Sequence, residues 1–167
     1  MRSILGLAET LFGVCPPYVA PRTMRVCLGL GGLRIGKSSA FWGMPTFTGG
    51  DDCLTRLAIG DACGFNYGCH FELYGDISIA DDVSVGHQVL FLTRTHDTSN
   101  PNRRGTAADA RPIRIEPGAW LGARCVILPG VTIGAGSVIA AETIVRENVG
   151  SNLLVTGNRK ISIAKWR

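Results

Sequence analysis

Ile115, Leu121, Ile127, Ile133, Ile139 and Val145 fall at intervals of six without a gap. Four places after each of the first five stands a small or β-branched residue: Ala119, Cys125, Val131, Ser137 and Thr143. With 46% of the chain apolar, six such hits in a row arise by chance about one time in a hundred. Neither a 3.6-residue helix nor an alternating strand produces this spacing. A second, noisier tract runs Ile35, Phe41, Phe47, Cys53, Ile59, Phe65, Phe71, slips by two, and resumes at Leu73, Ile79, Val85 and Phe91. A period of six is the signature of a parallel β-helix. Each unit gives one short strand and a corner, and three units close a triangular coil. The large aliphatic residue points into the prism, the small one fits the corner, and stacked coils satisfy one another's backbone groups.

The period breaks between Phe91 and Ile115. Residues 97–112, DTSNPNRRGTAADARP, are polar and carry Arg103, Arg104 and Arg111. So long an aperiodic stretch in a regular solenoid is expected to be a protruding functional loop or a disordered insert, and its start directly after His96 favours the functional loop. The organisation expected is therefore an N-terminal cap over 1–34, a β-helix over 35–158 interrupted by the loop 97–112, and a C-terminal tail over 159–167.

Composition narrows the function. With 167 residues and only 18% charged, the chain suits one all-β domain with a true core rather than a disordered segment. No uninterrupted apolar run reaches the length of a membrane span. Glu9 interrupts the short N-terminal apolar stretch and no cleavage-like site follows, so a secretory signal is not expected and the cytoplasm is the default compartment. The net charge of +4, without a basic run, fits a small anionic ligand and argues against nucleic acid. The six cysteines form no C-x-x-C pair and read as small buried apolar residues.

The segments GHQVLFLTRTHD (86–97), RPIRIEPGAWLGARCVILPGVTIGAGSVIAAETIV (111–145) and, more loosely, VTGNRK (155–160) resemble the hexapeptide-repeat acyltransferases. The likeness is to the branch of galactoside, maltose, nodulation and polysaccharide O-acetyltransferases. The resemblance covers about residues 55–160. It implies a left-handed parallel β-helix, a homotrimer with active sites between subunits, and acetyl transfer from acetyl-coenzyme A to a saccharide or nucleotide-sugar, with no metal required. Polysaccharide or glycoconjugate biosynthesis is the setting it suggests.

A sugar hydroxyl is a poor nucleophile, so a base must take its proton as it attacks the thioester. Imidazole suits that role near neutral pH. The resemblance places the general base at His96, with direct transfer and no acyl-enzyme. The same likeness assigns Asn66, in CGFNYGC, to the acceptor, and the backbone N–H of Ala123 to the oxyanion. Ala123 and Ala141 would line the coenzyme groove, Trp120 would stand at its thioester end, and Arg146, Arg159 and Lys160 would lie toward its phosphates. Two departures stand out. Tyr74 occupies a position that is often acidic in sugar acetyltransferases, with Asp76 following closely, and Arg159 replaces the usual proline of a Gly-Asn-Pro.

Plainer readings accompany each assignment: a loop-edge histidine, a turn asparagine and a corner tryptophan. His70, His87 and His96 lack the spacing of a three-histidine zinc site. N-acetylation of an amino sugar and a non-catalytic β-helix scaffold are the alternative functions. The apolar, basic N-terminal segment (Arg2, Arg22 and Arg25 around Leu5, Leu7, Leu11 and Phe12) suits peripheral membrane contact, although a cap packed on the first coil is the simpler account.

Overall fold

The computed structural model describes residues 21–51, 53–106, 108–157 and 159–163. Arg2, Leu5, Leu7, Leu11 and Phe12, where peripheral membrane contact is expected, lie outside them. Helix α1 (Pro21–Leu30) comes first and buries Met24 and Leu28. The first coil holds β1 (Arg34–Ile35), β2 (Ala40–Phe41) and β3 (Thr46–Gly49); the second, β4 (Leu57–Ile59), β5 (Gly64–Phe65) and β6 (His70–Leu73); the third, β7 (Ile77–Ile79), β8 (Ser84–Val85) and β9 (Leu90–Leu92). A hairpin of β10 (Arg94–His96) and β11 (Ala108–Ala110) follows. The fourth coil is β12 (Ile113–Ile115), β13 (Trp120–Leu121) and β14 (Val126–Ile127); the fifth, β15 (Thr132–Ile133), β16 (Val138–Ile139) and β17 (Ile144–Val145). β18 (Leu153–Thr156) and β19 (Arg159–Ser162) complete the described chain.

Each coil gives one strand to each of three parallel sheets, ordered β1-β4-β7-β12-β15, β2-β5-β8-β13-β16-β18 and β3-β6-β9-β14-β17. The architecture is an all-β parallel β-helix, with an isolated bridge from Ile133 to Val149 starting a sixth turn. β19 runs back antiparallel along β18, joining the second sheet.

Register explains where the period of six is clean and where it slips. Arg114 pairs with Thr132, three hexads further on, and this regular stretch is the source of the unbroken repeat. Ala58 pairs with Ser78, two positions beyond three hexads, because the longer strand β6 and the turn at Tyr74–Asp76 add a pair of residues. Arg34 pairs with Ala58, a full four hexads away. The extra hexad, expected around Cys53, is no strand: it forms the loop at 50–51 and a 3-10 turn at Cys53–Arg56. Ser78 pairs with Arg114, twice the regular coil away, and the hairpin excursion takes up the excess.

The hexad aliphatics form the interior. Leu121, Ile127, Ile133 and Ile139 are fully buried, and Phe41, Phe65, Phe71 and Phe91 fill the wider N-terminal half. Phe71 stacks on Phe91 at 4.8 Å and on Phe47 at 5.8 Å, and meets Phe65 edge-on at 6.0 Å. Corner residues are small because the next coil's backbone passes them, and several also donate to it. Ser39 Oγ donates to Gly60 O at 2.7 Å, Cys63 Sγ to Ala80 O at 3.0 Å, Cys125 Sγ to Ala140 O at 3.1 Å and Ser137 Oγ to Gly150 O at 2.7 Å. The tightest turns use left-handed backbone at stacked positions: Ala62, Asp82, Gly118, Gly136 and Asn152 at one corner, Gly68, Gln88, Arg124 and Glu142 at the next. At most of the non-glycine positions the neighbouring coil's carbonyl takes the turn's N–H, as Tyr67 O does for Gln88 and His87 O for Arg124.

Candidate active site

Two corners of the triangular section carry the residues singled out from the sequence. At the corner between the second and third sheets, successive coils stack Tyr67, His87, Ala123 and Ala141. Tyr67 and His87 meet edge to face at 4.9 Å. The two alanines that follow are small, half-buried at Ala123 and exposed at Ala141, so no ring covers this edge on the fourth and fifth coils, where the expected coenzyme channel would run. Among the described residues the N–H groups of Ala123 and Ala141 have no hydrogen-bond partner, while Ala123 O accepts from Glu142 N at 2.9 Å. A Cβ on Gly86 would stand 2.6 Å from Ala123 N, and one on Gly122 2.5 Å from Ala141 N. Only glycine lets the coils close this tightly, which fixes both amides at the lip of the channel.

Trp120 sits on the second sheet just before this corner, pairs in register with Ser84 and Val138, and is 50% exposed. Asn66 lies at the same corner, two coils nearer the N-terminus. Its side-chain nitrogen donates to Val85 O at 3.3 Å, so its amide braces the coil as a turn residue does. Beyond Ala141 the β-helix runs into its C-terminal end. There a cavity of about 420 Å³ is lined by Arg146, Glu147, Val149, Val155, Gly157 and Lys160, among others. The Lys160 ammonium is held by Glu147 at 2.9 Å and Asn148 O at 2.9 Å. Arg146 and Arg159 are exposed and have no carboxylate partner among the described residues.

The other corner, between the third sheet and the first, carries the hairpin. Its neck is closed by Arg111 N donating to Thr93 O at 2.8 Å, and Arg94, Thr95 and His96 pair antiparallel with Ala110, Asp109 and Ala108. His96 is exposed at the end of β10, and its ring makes no hydrogen bond among the described residues. Asp97 does not orient it: that carboxylate takes the Ser99 amide at 2.8 Å and hydroxyl at 3.0 Å. Those bonds hold the Asp97 carboxyl below its ordinary value. Tyr74 and Asp76 share this corner. Asp76 is paired with Arg56 at 3.3 Å, and the Arg94 guanidinium lies over the Tyr74 ring, 3.7 Å from its centroid.

His96 and the Ala123–Ala141 channel therefore occupy different corners of the chain. Sequence reasoning found both halves but missed the Arg94–Tyr74 stack, whose only linear signal is an arginine shortly before the histidine. His70 is engaged by Thr46 at 2.8 Å and Thr48 at 3.2 Å. Among the described residues no three His, Cys, Asp or Glu side chains gather as a metal site, and no helix is long and apolar enough to cross a membrane.

Comparison with known proteins agrees with this architecture. Residues 112–147 match the family model of the bacterial transferase hexapeptide (six repeats). A putative acetyltransferase of Schizosaccharomyces pombe is 36% identical over 100 residues, which cover 60% of this chain and 48% of that one. A galactoside O-acetyltransferase of Lactococcus lactis is 37% identical over 82 residues, 49% of this chain and 40% of its own length. The chain spans about half the length of the curated relatives it matches. A hexapeptide-repeat acetyltransferase of Vibrio cholerae, solved with acetyl-coenzyme A, superposes with a TM-score of 0.74 and 27% identity over 95% of this chain and 85% of that one. A maltose O-acetyltransferase of Clostridium difficile shares the fold, with a TM-score of 0.78 and 22% identity over 96% and 84%.

Proposed function

We propose that this hexapeptide-repeat chain is an acetyl-coenzyme A-dependent O-acetyltransferase acting on a saccharide hydroxyl, with His96 as general base. The observation that carries the proposal is the pair of unpartnered amides, Ala123 and Ala141, on one channel edge. Two donors a coil apart suit the amide and carbonyl oxygens of a pantetheine arm. The Ala123 N–H, fixed by the close approach of Gly86, is a preorganised donor for the oxyanion of the tetrahedral intermediate. His96 Nε2 or Nδ1 would take the acceptor hydroxyl proton as that oxygen attacks the thioester carbonyl. The coenzyme thiolate then leaves and recovers a proton, so the acetyl group moves in one displacement. Arg146 and Arg159, exposed near the terminal cavity, are placed to meet phosphates. Lys160, already held by Glu147, contributes less.

Because the base and the channel stand on different corners, the site is complete only when the hairpin of one chain faces the channel of another. A ring of three copies meets this requirement with one repeated contact. Complementation tests it. His96→Ala chains and Ala123→Arg chains, each inactive alone, are mixed under conditions that exchange subunits, and coenzyme A release is followed by mass spectrometry. Recovered release supports a site shared between chains; persistent inactivity in verified mixed assemblies contradicts it. Transfer to an amino sugar nitrogen uses the same groups, and a panel of neutral and amino sugars separates the two outcomes.

A further inference from the structure

Three of the described arginines are neutralised where they stand. Arg56 is paired with Asp76, Arg111 with Asp109 and Arg124 with Glu142. Arg94 differs. Its guanidinium carbon stands over the Tyr74 ring, 3.7 Å from the centroid, its Nε is buried without a hydrogen-bond partner, and no carboxylate pairs with it among the described residues. The Glu72 carboxylate accepts the backbone N–H of Arg94 at 2.9 Å and makes no ion pair with its guanidinium. The Tyr74 backbone is fixed too, its N–H donating to Thr93 Oγ1 at 3.2 Å, so the ring beneath the guanidinium is tied to the hairpin neck.

Stacking occupies the face of a guanidinium and leaves its in-plane donors for another group. Arg94 and His96 alternate with Thr95 on β10, so their side chains leave the same face of the hairpin. Ala110, directly across from Arg94, is exposed. Two other acids of this corner are taken up elsewhere: Asp76 pairs with Arg56 and Asp109 with Arg111. The face of the hairpin that carries His96 thus presents a guanidinium without an ion-pair partner among the described residues.

We propose that Arg94, held on the Tyr74 ring, is the specificity-determining residue of the acceptor site, and that it selects an acceptor bearing an oxyanion, a carboxylate or a phosphate. This rests on the reading of His96 as the acetyl-transfer base. A planar fork matches either oxyanion with two parallel N–H···O bonds.

The test uses three probes of matched ring: methyl galactoside, methyl galacturonide and galactose 6-phosphate. Each is assayed with acetyl-coenzyme A by product mass spectrometry, and each is also tested for binding by saturation-transfer NMR in the presence of coenzyme A. The proposal predicts that one or both charged probes have a higher kcat/KM than the neutral one. In Arg94→Gln the ratio of charged to neutral kcat/KM falls by about 10- to 100-fold through KM, the loss expected for a charge-assisted pair. Arg94→Lys retains part of the preference. Which charged probe leads identifies the oxyanion. Equal use of all three probes, or an unchanged ratio in Arg94→Gln, overturns the proposal while leaving acetyl transfer standing. Arg94-dependent binding of a charged probe with no product from any probe sustains the anion site and overturns the transferase reading.

Discussion

Ser137 offers the sharpest test of why the corners need small residues that donate. Its side chain is fully buried. Its Oγ donates to Gly150 O at 2.7 Å and accepts from Leu153 N at 3.1 Å, fastening the fifth coil to the sixth. Val138 pairs with Leu154, so this last coil falls two positions short of three hexads and the hydroxyl closes the gap. Ala119 holds the equivalent corner one coil earlier and is buried, so alanine fits the space. Ser137→Ala therefore removes two part-buried hydrogen bonds and leaves their backbone partners unpaired, at a cost of about 2–4 kcal/mol. For a chain of this size that corresponds to a fall in Tm of roughly 5–15 °C. Ser137→Cys should recover part of it, since Cys63 and Cys125 make the same donation to the next coil. Circular dichroism melts at fixed protein concentration, with hydrogen exchange of the peptide containing Leu153, would read both. A Ser137→Ala melt within about 1 °C of wild type, with unchanged exchange at Leu153, would refute the argument.

Phe71→Ala removes the central ring of the aromatic ladder, which contacts three others, and should cost about 3–5 kcal/mol. Phe47→Ala, at the end of the ladder, should cost less than half as much in the same denaturant titration. The cysteines should react unequally. Burial pushes the Cys69 thiol up to about 12 and raises Cys63 and Cys125 as well, so at pH 8 all three remain thiols, while half-buried Cys27 and Cys53 alkylate before them. Peptide mapping after brief iodoacetamide treatment checks the order.

The fold is legible where packing depends on one residue per hexad. The six aliphatics from Ile115 to Val145 are all buried, and the β-helix follows from them directly. Legibility fails where chain length per coil varies. Cys53 keeps the arithmetic of six, yet its hexad is a loop and a 3-10 turn, because four hexads separate β1 from β4 while three suffice to close a coil. The excursion is recognisable from its polarity, but its neck begins earlier, since Arg94–His96 pairs with Ala108–Ala110. That pairing is antiparallel and long-range, and no periodicity marks it. At the site, the corner alanines are identifiable from family likeness. Their unpartnered amides and the glycines that set them, Gly86 and Gly122, are properties of stacked backbone that side-chain identities do not encode. The Arg94–Tyr74 contact joins two successive coils and is equally silent in the linear sequence.

The central claim is acetyl transfer with His96 as the base. Its most direct measurement is coenzyme A release from acetyl-coenzyme A across neutral, acidic and amino sugars and nucleotide-sugars, quantified by mass spectrometry for wild type and His96→Ala. The account predicts acceptor-dependent release that falls about 100-fold or more in the variant, while acetyl-coenzyme A binding is unchanged by calorimetry. Release that survives the substitution would contradict the role of His96. Failure of the wild-type chain to bind acetyl-coenzyme A would contradict the transferase reading and favour a β-helix scaffold.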